Sequence, residues 1–178
     1  MPEKLFSRLF NNLQKRSKII PPFPAAVWHN PLYFLAFGLG SGRSPYAPGT
    51  AGTLAAIPCY LLLSYFLSPI AYIIFTCVFI IFSSWLCERI SKETATHDHP
   101  GMNIDEFAGF FVTMIAAPQG WQWIALGFIL FRLFDIFKPW PISYIDKNID
   151  NGFGMILDDV VAGLFSLAIL QLTYYFLG

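Results

Sequence analysis

The chain has 178 residues, of which 56% are hydrophobic and 18% aromatic, while only 12% carry a charge. A soluble domain has roughly 25% charged residues, so this sequence is short of the polar side chains that a water-exposed surface needs. Its 11 basic and 11 acidic residues cancel, and its three cysteines show neither a disulfide framework nor a metal-site spacing. The composition therefore excludes a disordered chain, a secreted disulfide scaffold and a soluble enzyme.

The first 29 residues are predicted to form a basic amphipathic arm that precedes a membrane-embedded domain, residues 30–178. Five basic residues fall in the first 18 positions, against the single acid Glu3. Such a segment suits the surface of an anionic leaflet, and a solvated, frayed terminus is the alternative. No apolar signal-peptide core follows these charges before Pro21.

Long apolar runs predict the membrane spans. Asp, Glu, Lys and Arg are absent from residues 44–87, 107–131 and 160–178. A helix needs about 20 mostly apolar residues to cross the hydrocarbon core. Five helices are predicted, at 51–67, 70–86, 104–117, 121–137 and 158–177. Ser68-Pro69 closes a first hairpin, and Pro118-Gln119-Gly120 closes a second. The predicted fold is an all-α integral membrane protein with about five transmembrane helices.

The basic residues predict the orientation. With five spans and a cytoplasmic amino terminus, residues 1–50, 88–103 and 138–157 face the cytoplasm and hold ten of the eleven basic residues. The two opposite turns hold none, whereas four spans would put Lys138 and Lys147 outside. The positive-inside rule therefore favours five spans.

Five carboxylates lie at the ends of otherwise apolar helices. They are Asp105, Glu106, Asp135, Asp158 and Asp159. Because ionised acids are costly in hydrocarbon, such residues are paired, bound to a cation or lining a polar cavity. The five-span topology puts all five at one depth, where their oxygens can form a Mg²⁺ site. Neighbours on a helix point ~100° apart, so one acid of each doublet is predicted to be a ligand and the other supporting or catalytic. Interfacial acids facing headgroups are the alternative.

Basic residues near these acids are predicted to bind a phosphate. Arg132 and Lys138 share a helical face with Asp135 because they are spaced by three residues. Arginine offers a fork to phosphate oxygens and lysine a point charge. Snorkelling at the membrane boundary is the alternative, which suits Lys138 better than the deeper Arg132.

Residues 38–52 are rich in glycine and proline and are predicted to form a re-entrant or surface loop. Backbone amides of such a loop can cradle a phosphate near the start of a helix. Arg43, Ser44 and Thr50 are therefore candidate substrate-binding residues. The segment matches neither the Walker pattern nor the dinucleotide fingerprint, and a loop with ordinary turn chemistry is the alternative.

A histidine pair completes the candidate site. In His97-Asp98-His99, His97 is predicted to protonate the leaving alkoxide, with Asp98 orienting it. An exposed polar loop is the alternative.

Five ordered blocks resemble one known family. They are Gly40-Ser-Gly-x-Ser-Pro-x-Ala-Pro-Gly-Thr-x-Gly, His97-Asp-His, Asp105-Glu-Phe-x-Gly, Phe131-Arg-x-x-Asp-x-x-Lys-Pro-x-Pro-Ile and Gly154-x-x-x-Asp-Asp-x-x-Ala-Gly163. Together they resemble phosphatidylglycerophosphatase A, a multi-pass bacterial phosphatase family. The resemblance implies Mg²⁺-dependent removal of the terminal phosphate of phosphatidylglycerophosphate, giving phosphatidylglycerol.

The resemblance also implies an inner-membrane location and an active site on the cytoplasmic face. A phospholipid is then the expected partner, with no nucleic acid, and nothing in the sequence indicates an oligomer. The alternatives are a small transporter or channel with buried acids, and a lipid phosphatase of different substrate. Whether water attacks the phosphorus or a carboxylate forms a phospho-enzyme stays open at this stage.

Overall fold

A computed structural model describes residues 22–96, 99–149 and 151–177. In this part of the chain every regular element is helical, which confirms the predicted all-α class. Two short 3₁₀ turns, Ala25–Trp28 and Gly38–Arg43, accompany seven α-helices. These are α1 Pro31–Ala36, α2 Pro48–Phe66, α3 Pro69–Thr94, α4 Ile104–Thr113, α5 Trp121–Phe137, α6 Ile142–Asn148 and α7 Gly152–Leu177. Residues 1–21 of the predicted arm lie outside the described residues, and the division into arm and domain stays a prediction.

Prolines and small polar residues start these helices as expected from local chemistry. Pro48 and Pro69 occupy first-turn positions of α2 and α3, where the missing N–H costs no hydrogen bond. The Ser68 side chain accepts a hydrogen bond from the Ala71 amide at 3.3 Å and caps α3. The predicted first hairpin, turning at Ser68-Pro69, is therefore present.

Three helices, α2, α3 and α7, are long and apolar enough to cross a membrane. Two of them extend well beyond their predicted bounds. Helix α3 continues to Thr94 rather than ending at 86, and α7 begins at Gly152 rather than at 158. The prediction placed these helix ends beside the nearest charged residues. At the start of α7, local hydrogen bonding sets the end instead, because the Asn151 side chain accepts from the Gly154 amide at 2.8 Å. Asp158 and Asp159 thus lie inside α7, not at its first residue.

The second hairpin is formed by α4 and α5, which run antiparallel. Glu106 lies beside Arg132, and a Cβ on Gly127 would meet Thr113. Helix α4 ends at Thr113, not at the predicted 117, and Ala116 has a left-handed φ of 52°. Ten residues rise only ~15 Å, so length does not qualify α4 as a complete span.

Helix α4 lies at the centre of the fold. Every residue of α4 except Asp105 is buried. It crosses α7 where two glycines meet, since a Cβ on Gly163 would overlap the Gly109 carbonyl oxygen. The Tyr72 hydroxyl of α3 donates to the Phe111 carbonyl at 2.8 Å. The outer helices instead expose large apolar side chains, as a lipid-facing surface would.

The two ends of the helices differ in chemistry. Leu67 and Pro69 of the first turn and Ala117 and Gln119 of the second line one mostly apolar cavity of about 530 Å³. Both hairpins therefore turn at the same end of the molecule. The acidic residues gather at the other end, where α4 and α7 begin and α5 finishes.

Candidate active site

Six carboxylates line one cavity of about 310 Å³ at this second end. They are Asp105, Glu106, Asp135, Asp146, Asp158 and Asp159. The first turn of α4, the last turn of α5, helix α6 and the second turn of α7 supply them. The structure thus brings all five sequence-predicted acids together and adds a sixth.

Arg132 holds two of these acids from behind the cavity wall. Its Nη1 contacts Glu106 Oε2 and lies 2.6 Å from Asp135 Oδ2. All three side chains are at most 14% exposed. The Thr53 hydroxyl lies 3.1 Å from the same Glu106 oxygen. A Cβ on Gly49 would overlap the Glu106 carboxylate, so a larger residue there would displace that carboxylate from its present position.

Lys138 holds a second pair of acids. Its Nζ is 2.5 Å from Asp146 Oδ1 and 2.5 Å from Asp158 Oδ2. Burial alone would lower the pKa of Lys138, but the hydrogen bonds to Asp146 and Asp158 outweigh it and hold the pKa well above its ordinary value. The lysine is therefore a cation that links α6 to α7.

The sequence pattern suggests no role for Asp146. It follows Lys138 by eight residues, and on one straight helix that spacing would put the two residues about 12 Å apart, too far for an ion pair. The intervening Pro139 to Pro141 turn folds α6 back, and only that turn brings Asp146 to the lysine. A short polar helix directly after a proline turn is the one signal that could have indicated it.

Two of the cavity carboxylates keep acceptor oxygens free. Asp158 Oδ1 is buried and has no hydrogen-bond partner among the described residues. Asp159 is only 4% exposed, and its carboxylate accepts no hydrogen bond within the described part of the chain. Six carboxylates face only two basic side chains, Arg132 and Lys138, so all six can be ionised together only if a further cation binds.

The oxygen chemistry of this cavity fits Mg²⁺, although no ready-made cage exists. In residues 22–96, 99–149 and 151–177, no three His, Cys, Asp or Glu side chains are arranged to hold one ion. Glu106, Asp135 and Asp158 are instead engaged by Arg132 and Lys138. Mg²⁺ commonly takes one or two carboxylates and completes its shell with water and phosphate oxygens. The free oxygens of Asp158 and Asp159 match that requirement, and the predicted five-carboxylate ligand set stays a prediction.

The predicted phosphate-cradling residues do not line this cavity. Arg43 is exposed, and Ser44 and Thr50 are half-buried; their neighbour Gly49 is the residue that reaches the wall. The loop packs against the residues before α4, since a Cβ on Gly42 would overlap the Gly101 carbonyl. Substrate binding by these three residues stays a prediction.

Asn103 connects the glycine-rich loop to the cavity and was not identified from sequence. Its Nδ2 donates to Ser41 Oγ and to the Pro48 carbonyl, each at 3.0 Å. Its backbone amide donates to the Ala36 carbonyl at 3.1 Å. The asparagine thus joins the loop, the start of α2 and the start of α4.

His97 and Asp98 lie outside the described residues, so their predicted role in proton transfer stays a prediction. The third member of that run, His99, is described. It is buried, at 4% exposure, and it lines the acid cavity. Proton transfer was predicted for His97 and no role for His99 itself, because a histidine in a polar loop carries little signal.

Comparisons with known proteins show the family of the chain. The family model for phosphatidylglycerophosphatase A matches residues 34–174. The chain is similar to a phosphatidylglycerophosphatase A of Escherichia coli, with 44% identity over 150 residues, 84% of each chain. The protein of that name from Haemophilus influenzae is 39% identical over 149 residues, 83% of this chain and 91% of the relative.

A more distant relative bears a different name. A Bacteroides thetaiotaomicron protein, provisionally named phosphatidylinositol-3-phosphatase, is 33% identical over 150 residues, 79% of this chain and 92% of the relative. No solved structure matches the chain significantly.

The helices have apolar outer faces, and the acidic cavity at one end also contains the basic residue Lys138. This arrangement is suited to hydrolysis at a membrane surface. The chain belongs to the phosphatidylglycerophosphatase A family. It is an enzyme, a phosphatase that hydrolyses a phosphomonoester.

Proposed function

We propose that the chain removes the terminal phosphate of phosphatidylglycerophosphate in a Mg²⁺-dependent reaction, leaving phosphatidylglycerol. The names of the two more similar relatives support this substrate. The observation that carries the proposal is the acid cavity, which lies at one end of apolar helices, is lined by Lys138 and is backed by Arg132. A lipid whose acyl chains run along the helices would bring its phosphate to that depth.

The chain's own residues have distinct tasks in this proposal. Lys138 uses two of its three N–H groups on Asp146 and Asp158, so the third can bind a phosphoryl oxygen. Arg132 keeps Glu106 and Asp135 in place from behind the wall. Fixed charges of this kind favour the transition state because they need no reorganisation during the reaction.

Asp158 and Asp159 are the residues that would hold Mg²⁺, with Asp105 across the cavity as a further candidate. When bound, the ion supplies charge neutralisation and polarises phosphoryl oxygens. The excess of carboxylates over basic side chains supports this requirement, because ionised carboxylates would repel a phosphate dianion unless a cation is bound.

We further propose five spans in the bacterial inner membrane, with the amino terminus and the cavity on the cytoplasmic side. Both hairpin turns line the far cavity, which supports a second hairpin that reaches as deep as the first. Helix α4 is surrounded by α2, α3, α5 and α7. Because it does not face lipid, it can be shorter than the thickness of the hydrocarbon core. The basic residues of the cavity-side segments support the cytoplasmic orientation.

A transporter is less well supported. Its charges should extend through the bilayer midplane to provide access from both sides. The cavity between the two turns is instead lined mainly by apolar side chains, with no charged residue among the described ones.

The experiment is phosphate release by purified protein in detergent. Phosphatidylglycerophosphate should be the best substrate in a panel that includes phosphatidic acid and phosphatidylinositol 3-phosphate. Excess chelator should abolish release, and added Mg²⁺ should restore it. A preference for phosphatidylinositol 3-phosphate would overturn the substrate, and full activity in chelator would overturn the metal requirement.

A further inference from the structure

His99 is a buried histidine in the wall of the acid cavity. Its ring packs edge-on against Phe37, with ring centroids 5.0 Å apart, and its carbonyl accepts a hydrogen bond from the Met102 amide at 2.8 Å. Only 4% of the residue is exposed. The ring is therefore held in one orientation directly before α4 begins.

One hydrogen bond determines which ring nitrogen carries the proton. The Gly101 main-chain N–H donates to His99 Nδ1 at 3.0 Å. A ring nitrogen that accepts a hydrogen bond carries no proton, so the neutral imidazole has its proton on Nε2. Nε2 is buried and has no partner among the described residues. A buried N–H without an acceptor is costly, so an acceptor outside the described residues is required.

The other side-chain donors of the cavity wall are largely engaged. Both N–H groups of the Asn103 amide are used on Ser41 and Pro48. Lys138 has two of its three bonds on Asp146 and Asp158. Among the described side chains of the wall, Lys138 keeps one N–H free, and His99 is the donor whose side-chain N–H makes no hydrogen bond at all.

We propose that His99 donates its Nε2–H to a phosphoryl oxygen of the bound substrate and stays neutral throughout, an inference that rests on the proposed phosphatase function. The ring cannot release that proton without becoming an anion, because Nδ1 has none. His99 is therefore neither the general acid nor, with Nε2 protonated, a metal ligand. It supplies a fixed neutral donor where carboxylates would otherwise repel a phosphate.

Kinetics of three variants of the full chain in detergent test this role. His99→Gln keeps an N–H near the Nε2 position, and His99→Leu removes it. We expect His99→Leu to lower kcat/KM for phosphatidylglycerophosphate about 10²-fold, and His99→Gln to stay within about tenfold of the parent. Exposed His29 lies outside the cavity, so His29→Leu should leave the rate unchanged. The Mg²⁺ concentration for half-maximal rate should not change in His99→Gln.

Two outcomes would overturn the inference. Equal losses in a folded His99→Gln and His99→Leu would indicate a proton-transfer role that glutamine cannot perform. A raised Mg²⁺ requirement in His99→Gln would indicate a metal ligand.

A measurement on the unmodified chain covers the case in which these variants fail to fold. In protein labelled with ¹⁵N-histidine, long-range ¹H–¹⁵N spectra should show His99 with Nε2 protonated and Nδ1 unprotonated. Adding inorganic phosphate with Mg²⁺ should shift the Nε2–H signal. Protonated Nδ1, or no shift at saturating phosphate, would overturn the inference. An unmodified chain that releases no phosphate from any lipid would instead defeat the proposed function, while the spectra would still decide the state of His99.

Discussion

Arg132 is the residue on which the inner half of the site depends. It contacts Glu106 and Asp135 while only 14% of its side chain is exposed. Removing one member of a buried charge cluster leaves the other charges without a counter-ion. The free-energy cost of that loss usually exceeds the stabilisation that the intact cluster provides. The arginine is therefore structural as well as electrostatic.

We expect Arg132→Gln to lower the free energy of unfolding by about 3 kcal/mol, because two buried carboxylates lose their cation. Adding Glu106→Gln should recover part of that stability but no activity. Denaturant unfolding in detergent measures both. The exposed Arg89–Glu93 pair, at 2.8 Å, gives the control: Arg89→Gln should cost less than about 1 kcal/mol. Equal losses at both arginines would contradict the role of burial.

The sequence indicated which acids line the cavity, except for one, but not the other polar residues beside them. Asp105, Glu106, Asp135, Asp158 and Asp159 could be found because acids in apolar surroundings are rare enough to be informative. Asp146, Asn103 and His99 could not, because their importance comes from contacts between segments distant in sequence. Ordinary polar residues in loops carry no such signal.

The crossing of α4 and α7 sets the distance between the two acid doublets. Gly109 and Gly163 let the helix backbones meet directly. The start of α7 is also fixed, because the Gly152 amide donates to Glu88 Oε2 of α3 at 2.7 Å. Asp158 and Asp159 are thereby held opposite Asp105 and Glu106.

Two helical glycines allow a matched test of that crossing. Gly163→Ala should destabilise the protein by about 2 kcal/mol and lower activity, since its Cβ would meet the rigid Gly109 carbonyl. Gly127→Ala should be near neutral, because its nearest contact, at 2.7 Å, is the flexible end of Met114. Both substitutions gain about 1 kcal/mol of helix propensity, so the difference in stability between the two variants reflects packing alone. Thermal unfolding measures it, and equal effects would contradict the close crossing.

The elements were largely predictable, and their ends were not. Pro69 and Gly120 mark helix boundaries because a helix interior tolerates neither residue well. The carboxyl end of α4 was wrong, because an apolar run from 104 to 117 gives no sign that the backbone turns left-handed at Ala116. The extra turns of α3 and α7 were missed because hydropathy does not set those ends. Helix α3 ends where Ala95 turns left-handed, with φ 50°, and the first amides of α7 donate to the side chains of Asn151 and Glu88.

The whole molecule has one polar end and one apolar end. The proposed orientation puts Tyr46 and Asn148 on the cytoplasmic side and both hairpin turns outside. Tyr46, Asn148, Ser68 and Gln119 are all exposed, which makes them comparable labelling sites.

Single cysteines should therefore label asymmetrically in intact cells. In a variant without Cys59, Cys77 and Cys87, cysteines at Ser68 and Gln119 should react with an impermeant thiol reagent. Cysteines at Tyr46 and Asn148 should react only after the cells are opened. Labelling of Tyr46 and Asn148 from opposite sides would contradict a common cytoplasmic end.

We expect the carboxylates of the acid cavity to carry the phosphatase activity. The most direct measurement is the rate of phosphate release from phosphatidylglycerophosphate at saturating Mg²⁺ for Asp158→Asn and Asp159→Asn. Glu93→Gln is the matched control, since Glu93 is an exposed, ion-paired carboxylate outside the cavity. We predict losses of about 10²-fold or more in both aspartate variants and a near-normal rate in the control. Rates within about threefold of the parent in both folded aspartate variants would contradict the claim.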